Sequence, residues 1–203
     1  MNQDVINRHL NALAELDRDV RHGLKLVSYP KPRIREPGFE TLLATVVSQQ
    51  ISTDAAAAIM ARIRALLPEM RARDVLRLQP GALREAGLSM RKVEYVEGLA
   101  RAITEKRFDP GRLAELDDED AIAAISALRG FGRWSAEIYL MFCLQRSDIF
   151  PAGDLALRAG LQKLKGFAQP PGEAAARQMA ESWAPYRSAG SLFLWHYYRG
   201  APT

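Results

Sequence analysis

Apolar residues return every three or four positions along nearly the whole of this chain, and nowhere do they alternate with polar ones over the length of a strand. That pattern restricts the fold, because a helix gathers positions i, i+3, i+4 and i+7 on one face whereas a half-buried strand needs period two. The sequence predicts an all-α protein of about ten helices. Phe39, Leu42, Leu43, Val46 and Val47 form the clearest stripe. Gln50 is expected on the same face, either at the rim of the core or as an amide pushed into a ligand.

Several helix starts are legible. Ser52 precedes TDAAAAIMARIRALL, Ser89 precedes MRKVEYVEGLARAITEK, and the acidic DDED opens AIAAISAL. Each offers a capping oxygen or a negative charge where amides are unpaired and the helix dipole is positive. Breakers divide the rest. Residues 29–38, YPKPRIREPG, hold three prolines with Lys31, Arg33 and Arg35, and read as an extended connection between an N-terminal helical piece and the body. FDPG, QPG and QPPG mark further turns.

With 203 residues, 48% apolar and 26% charged, the chain can bury a proper core as one domain or two packed lobes. A net charge of +4 and a pI near 9.4 suit a polyanionic partner or a solubility margin. The single Cys143 excludes a disulfide framework and any cysteine-ligated cluster or zinc site within the chain. His9, His22 and His196 lack metal-ligand spacing. The N-terminal MNQDVINRHLNALAELD has no secretory apolar core, and no stretch reaches the roughly 18 apolar residues of a membrane span. The expectation is a cytoplasmic protein, nucleoid-associated if bacterial, that works as a monomer away from membranes.

AISALRGFGRWSAEIYLMFCL reads as helix, tight turn, helix, with Gly130 and Gly132 in the turn. Glycine tolerates positive φ and lets a ligand approach the backbone without meeting a Cβ. Such a turn is either a plain hairpin with a glycine cap or an anion site built from main-chain amides, for which a DNA phosphate is a suitable occupant. Further on, Asp154 precedes a helical run and reads as its N-cap. A negative charge is favoured there by the dipole, so the same residue suits the part of a fixed anion better than that of a proton donor.

FETLLATVVSQQISTDAAAAI, GLSMRKVEYV, LRGFGRWSAEIYL, DIFPAGDLALRAG and WAPYRSAGSLFLW occur in this order from Phe39 to Trp195. Together they resemble the helix-hairpin-helix DNA glycosylases, and within them the DNA-3-methyladenine glycosylase II branch. The resemblance implies a single glycosylase domain over 1–203 made of two helical lobes flanking an active-site cleft. Lobe 1 would hold about 1–35 plus 130–203 and lobe 2 about 36–129, without the N-terminal β domain of larger relatives. It implies a monofunctional enzyme that flips alkylated purines, chiefly 3-methyladenine and also 7-methylguanine, out of double-stranded DNA and hydrolyses the N-glycosidic bond. The competing reading is a noncatalytic helix-hairpin-helix DNA-binding protein.

By the same resemblance Asp154 is the catalytic carboxylate. Gln50, with Gln49 beside it, fills the gap left by the flipped nucleotide. Arg129, Gly130, Phe131, Gly132, Arg133 and Trp134 grip the DNA backbone. Trp195 and Trp134 belong to the base pocket, although in sequence Trp195 also reads as core packing in an amphipathic last helix. Where relatives carry a pocket tyrosine four positions after the hairpin tryptophan, this chain has Ile138, with Tyr139 next to it. Bifunctional relatives have a lysine at the position of Trp134, and an indole cannot form their Schiff base. Lys92 is expected on the exposed face of its helix, with a DNA-facing role left open by the resemblance. No cofactor is required and no iron–sulfur cluster is expected. Family hairpins hold a monovalent cation, Na+ or K+, on main-chain oxygens, here those of Ser126, Leu128 and Phe131.

Overall fold

The computed structural model describes residues 1–200. In chain order the α-helices are α1 (Gln3–Leu16), α2 (Arg18–Val27), α3 (Phe39–Ser48), α4 (Thr53–Leu66), α5 (Ala72–Val75), α6 (Ala82–Glu85), α7 (Met90–Thr104), α8 (Asp118–Ser126), α9 (Arg133–Phe142), α10 (Leu155–Lys165), α11 (Glu173–Met179) and α12 (Arg187–Gly200). Two 3-10 helices, Pro110–Glu115 and Ala180–Trp183, complete the set, and there is no strand among the described residues. The excess over ten comes from one-turn pieces such as α5 and α6, too short to show a period. Among the described residues no helix is long and apolar enough to cross a membrane.

The chain divides into two compact units, Met1–Ile34 with Leu140–Thr203 and Arg35–Tyr139. The second boundary falls inside α9, about ten residues later than the sequence suggests. In the Arg35–Tyr139 unit, Leu42, Leu43, Val46 and Val47 of α3 are buried and α3 packs on α4 and α7. Ser52, Ser89 and Asp117 cap their helices through Ala55, Lys92 and Asp120 amides, so these local starts form as their sequences predict.

The other unit is built around α12, where Ser188 through Trp195 are all buried. The helix is thus central, not amphipathic, because α1, α2 and α10 pack around it. Gly160 of α10 makes this possible: a Cβ there would lie 2.6 Å from the carbonyl oxygen of Leu194. At the other end of α10 a charged cluster ties elements remote in sequence. Lys165 Nζ donates to Asp17 Oδ2 (2.7 Å) and Asp19 Oδ2 (2.9 Å), and Trp183 Nε1 donates to Asp17 Oδ2 at 2.9 Å. Asp17 also caps α2 through the Asp19 amide at 2.9 Å.

Burial alone would raise the Asp17 carboxyl, but hydrogen bonds from Lys165 and Trp183 outweigh it and hold the group below the usual range. Burial likewise opposes the Lys165 charge, and its two aspartate partners more than compensate. A carboxyl held low binds fewer protons than in the unfolded chain. Its contribution to stability is therefore complete above an ordinary aspartate pKa of about 3.9 and is lost as pH falls through the lowered native value. Asp17→Asn keeps the cap of α2 but loses the ion pair. It should destabilise the protein by about 2 kcal/mol in denaturant unfolding at pH 7, the scale of a charge-assisted hydrogen bond. The gap to wild type should close as the same measurement moves below about pH 4.

Candidate active site and nucleic-acid interface

In the unit containing α10 and α12, Asp154 stands at the N-terminus of α10 with its side chain half-buried. Oδ1 accepts the Leu157 amide at 2.8 Å, as the sequence predicts of an N-cap. The same oxygen accepts Trp195 Nε1–H at 2.9 Å, which no local pattern announces. Trp195 is buried, with Phe142 tilted against it at 5.8 Å between ring centroids. The structure therefore brings Asp154 and Trp195 together and gives the indole a polar task besides the packing foreseen for it.

The loop leading to Asp154 is pinned to the start of α12. Arg187 makes a two-pronged pair with Asp148, Nε to Oδ1 at 2.7 Å and Nη2 to Oδ2 at 2.8 Å. Ser188 Oγ accepts the Ile149 amide and donates to the Arg146 carbonyl. Burial works against the Asp148 charge, yet Arg187 holds its carboxyl below the ordinary range. Asp148, Arg187 and Ser188 were missed as supports of the site. The motifs contain all three, but nothing local pairs residues about forty positions apart.

In the Arg35–Tyr139 unit the hairpin runs from α8 to α9, and its glycines serve different ends. Gly130 has φ +94°, and a Cβ on it would run into the Tyr95 ring. Gly132 has ordinary φ and open space where a Cβ would lie, so it leaves the backbone approachable. It lines a recess of about 750 Å³ together with Gln49, Gln50, Arg91, Lys92, Tyr95 and Trp134. The recess thus opens beside the N-terminal turn of α9. Trp134, in that first turn, is 40% exposed.

Gln50 does not continue the apolar face of α3. That helix ends at Ser48, and Gln50 is exposed with φ +58°, a left-handed conformation costly for a residue with a Cβ. Lys92 explains the departure: its Nζ donates to the carbonyls of Val47 and Gln49, both at 2.7 Å, and so ends the helix. Lys92 is accordingly half-buried and committed, not on an exposed face, and burial lowers its ammonium below the usual lysine range. Gln49 does not share the wedge position either, since its Nε2 donates to the Gly130 carbonyl at 2.8 Å and ties α3 to the hairpin.

The hairpin arginines face carboxylates of their own unit. Arg129 pairs with Glu94 at 3.1 Å and lies over Tyr95. Arg133 meets Glu119 at 2.6 Å and Glu137 at 3.1 Å, and the Glu119 bonds, against the opposing effect of burial, raise its guanidinium above the ordinary value. Their charge is thus balanced internally. Arg91, which sequence reading did not single out, is exposed on the recess without a carboxylate partner among the described residues. Ile138 and Tyr139 are buried, and the Tyr139 hydroxyl accepts the Gly38 amide at 2.8 Å, fixing the entry to α3. In the turn, the Leu128 carbonyl accepts the Phe131 amide at 3.0 Å. The carbonyls of Ser126, Leu128 and Phe131 are neutral oxygen donors, the type a monovalent cation takes.

Residues 43–185 match the family model described as HhH-GPD superfamily base excision DNA repair protein. The chain is 30% identical over 195 residues to DNA-3-methyladenine glycosylase 1 of Schizosaccharomyces pombe, covering 90% of this chain and 83% of that one. Two further relatives named DNA-3-methyladenine glycosylase, from Saccharomyces cerevisiae and Bacillus subtilis, are matched over 48% and 40% of their length. Among solved structures, the S. pombe 3-methyladenine DNA glycosylase in complex with abasic DNA superposes with TM-score 0.83 at 27% identity, over 93% of this chain and 95% of that one. A DNA-3-methyladenine glycosidase from Bacillus halodurans gives TM-score 0.83 at 28% identity, over 92% and 87%. Agreement of sequence and backbone over nearly the whole chain, including the hairpin and the helix that Asp154 caps, leads to one assignment: this chain belongs to the HhH-GPD superfamily of base excision DNA repair proteins.

Proposed function

We propose that the protein is a monofunctional DNA glycosylase that removes alkylated purines, 3-methyladenine first among them, from duplex DNA and leaves an abasic site. The observation that carries this reading is the Asp154 carboxylate, oriented by two N–H donors at a helix N-terminus and half-open to its surroundings. A base inside the stack cannot meet such a group, so the nucleotide must first be rotated out. The approachable backbone around Gly132 and the opening amides of α9 suit a phosphate, with Arg91 adding charge. Exposed Gln50 suits the gap left in the duplex. A monovalent cation on the Ser126, Leu128 and Phe131 carbonyls would add positive charge beside the phosphate.

Breaking the N-glycosidic bond builds positive charge on the deoxyribose, as in other glycoside cleavages through an oxocarbenium-like state. At about 4 Å and an effective dielectric near 20, a fixed anion is worth about 4 kcal/mol to that charge. The carboxylate also orients the attacking water. Alkylation at a ring nitrogen already makes the purine a cationic leaving group, so departure needs no dedicated acid. A noncatalytic DNA-binding reading accounts for Asp154 only as the cap of α10.

The purified protein should release base from methylated duplex DNA under single-turnover conditions, and Asp154→Asn should slow release about a thousandfold, the rate equivalent of that electrostatic stabilisation. Activity in the variant within a few-fold of wild type would remove Asp154 from the chemistry. Trp195→Phe keeps an aromatic face and loses the N–H donor to Asp154, and should slow release by about 10- to 100-fold with duplex affinity unchanged. With Trp134 in the lyase position, borohydride should trap no protein–DNA adduct during turnover, and product strands should stay intact until treated with base.

A further inference from the structure

Arg33 lies outside every role assigned above, yet its guanidinium carbon sits 5.5 Å from the Trp195 ring centroid and 5.9 Å from that of Phe142. Those rings are themselves in contact, and the indole edge carries the hydrogen bond to Asp154. The segment bearing Arg33 is anchored on the same unit: the Tyr29 hydroxyl donates to Asn11 Oδ1, and Gln3 Nε2 donates to the Pro30 carbonyl at 3.1 Å. Pro30 and Pro32 restrict the backbone immediately before it. A tethered stem thus presents a permanent cation to the aromatic pair, while the side chain as a whole remains exposed.

We infer that Arg33 sets the charge preference of the base pocket, offsetting part of the advantage that cationic bases hold as leaving groups and so widening the range toward neutral ones. This rests on the glycosylase reading, with Trp195 as the aromatic surface that receives the extruded base. A guanidinium over an indole uses the same negative π-face that an alkylated, positively charged purine would use. Such a base must displace Arg33 or share the site with a like charge. A neutral purine meets no such repulsion. It also departs as an anion, which a nearby guanidinium stabilises. Both effects act in one direction, and both depend on charge, not on the bulk of the side chain.

The test compares wild type, Arg33→Gln and Arg33→Lys in single-turnover excision from two duplexes of identical flanking sequence, one carrying a single 7-methylguanine and the other a single hypoxanthine. Gln retains most of the stem without the charge, and Lys retains the charge without the planar group. Arg33→Gln should raise the ratio of the 7-methylguanine rate to the hypoxanthine rate by about threefold, the scale of one cation–π contact at an exposed site, while Arg33→Lys stays near wild type. Equal change on both lesions, as expected if Arg33 merely touches a phosphate, overturns the inference. So does Lys behaving like Gln, which would make the effect one of packing. Wild-type protein that releases neither base removes the glycosylase reading together with the inference, whereas active wild type with an unchanged ratio removes the inference alone.

Discussion

The hydrogen bond from Trp195 to Asp154 depends on how closely α10 and α12 approach. Trp195 follows Leu194, whose carbonyl occupies the space a side chain at Gly160 would need, and Gly160 lies less than two turns beyond Asp154 on the same helix. A methyl group at 160 would push the helices apart and draw the indole away from the carboxylate. The chemistry of the site is in this sense set by a packing distance. Orientation of the carboxylate then follows from two donors of different origin: one amide from its own helix and one indole from a partner helix. The loop before Asp154 adds a second constraint through Asp148, Arg187 and Ser188, so both approaches to the carboxylate are anchored on α12.

The hairpin follows a different electrostatic plan. A grip on DNA is usually pictured as lysines and arginines reaching for phosphates, and a pI near 9.4 invites that picture. Here the two arginines of the turn are balanced by Glu94, Glu119 and Glu137. What the turn offers instead is geometry: an approachable glycine, the opening amides of α9 and the recess beside them. A main-chain grip reads the shape of the backbone and is indifferent to sequence, which suits a protein that must find a damaged base in any context.

Much of this was legible in the chain, and the divide between what was and what was not has a physical origin. Ser52, Ser89, Asp117 and Asp154 could be named as caps because a cap is a bond between residues three apart. Gly130 and Gly132 could be named as a turn for the same reason. Gln50 was misplaced because the end of α3 is decided by Lys92, which reaches its carbonyls from more than forty residues away. The last helix was read as amphipathic although it is buried along eight consecutive residues. Its serines and glycine look polar in a periodic scan but pack or bond internally. Arg129 and Arg133 looked like free cations because their carboxylate partners lie on other elements or a full turn away.

A fixed anion without an evident acid has a consequence for selectivity. Such a carboxylate lowers the barrier for any sugar whose glycosidic bond is breaking, by an amount that hardly depends on which base departs. Discrimination must then come from the base itself, through how readily it leaves and how well the surface that receives it is matched to its charge. Alkylated purines satisfy the first condition by their chemistry. On the proposed reading the second falls to the groups around Trp195, where the Arg33 guanidinium carbon lies 5.5 Å from the indole centroid. On that reading, catalytic power falls to Asp154 and lesion preference to the covering of Trp195, so that substitution on the 29–38 segment would shift preference while the carboxylate and its two donors remain unchanged.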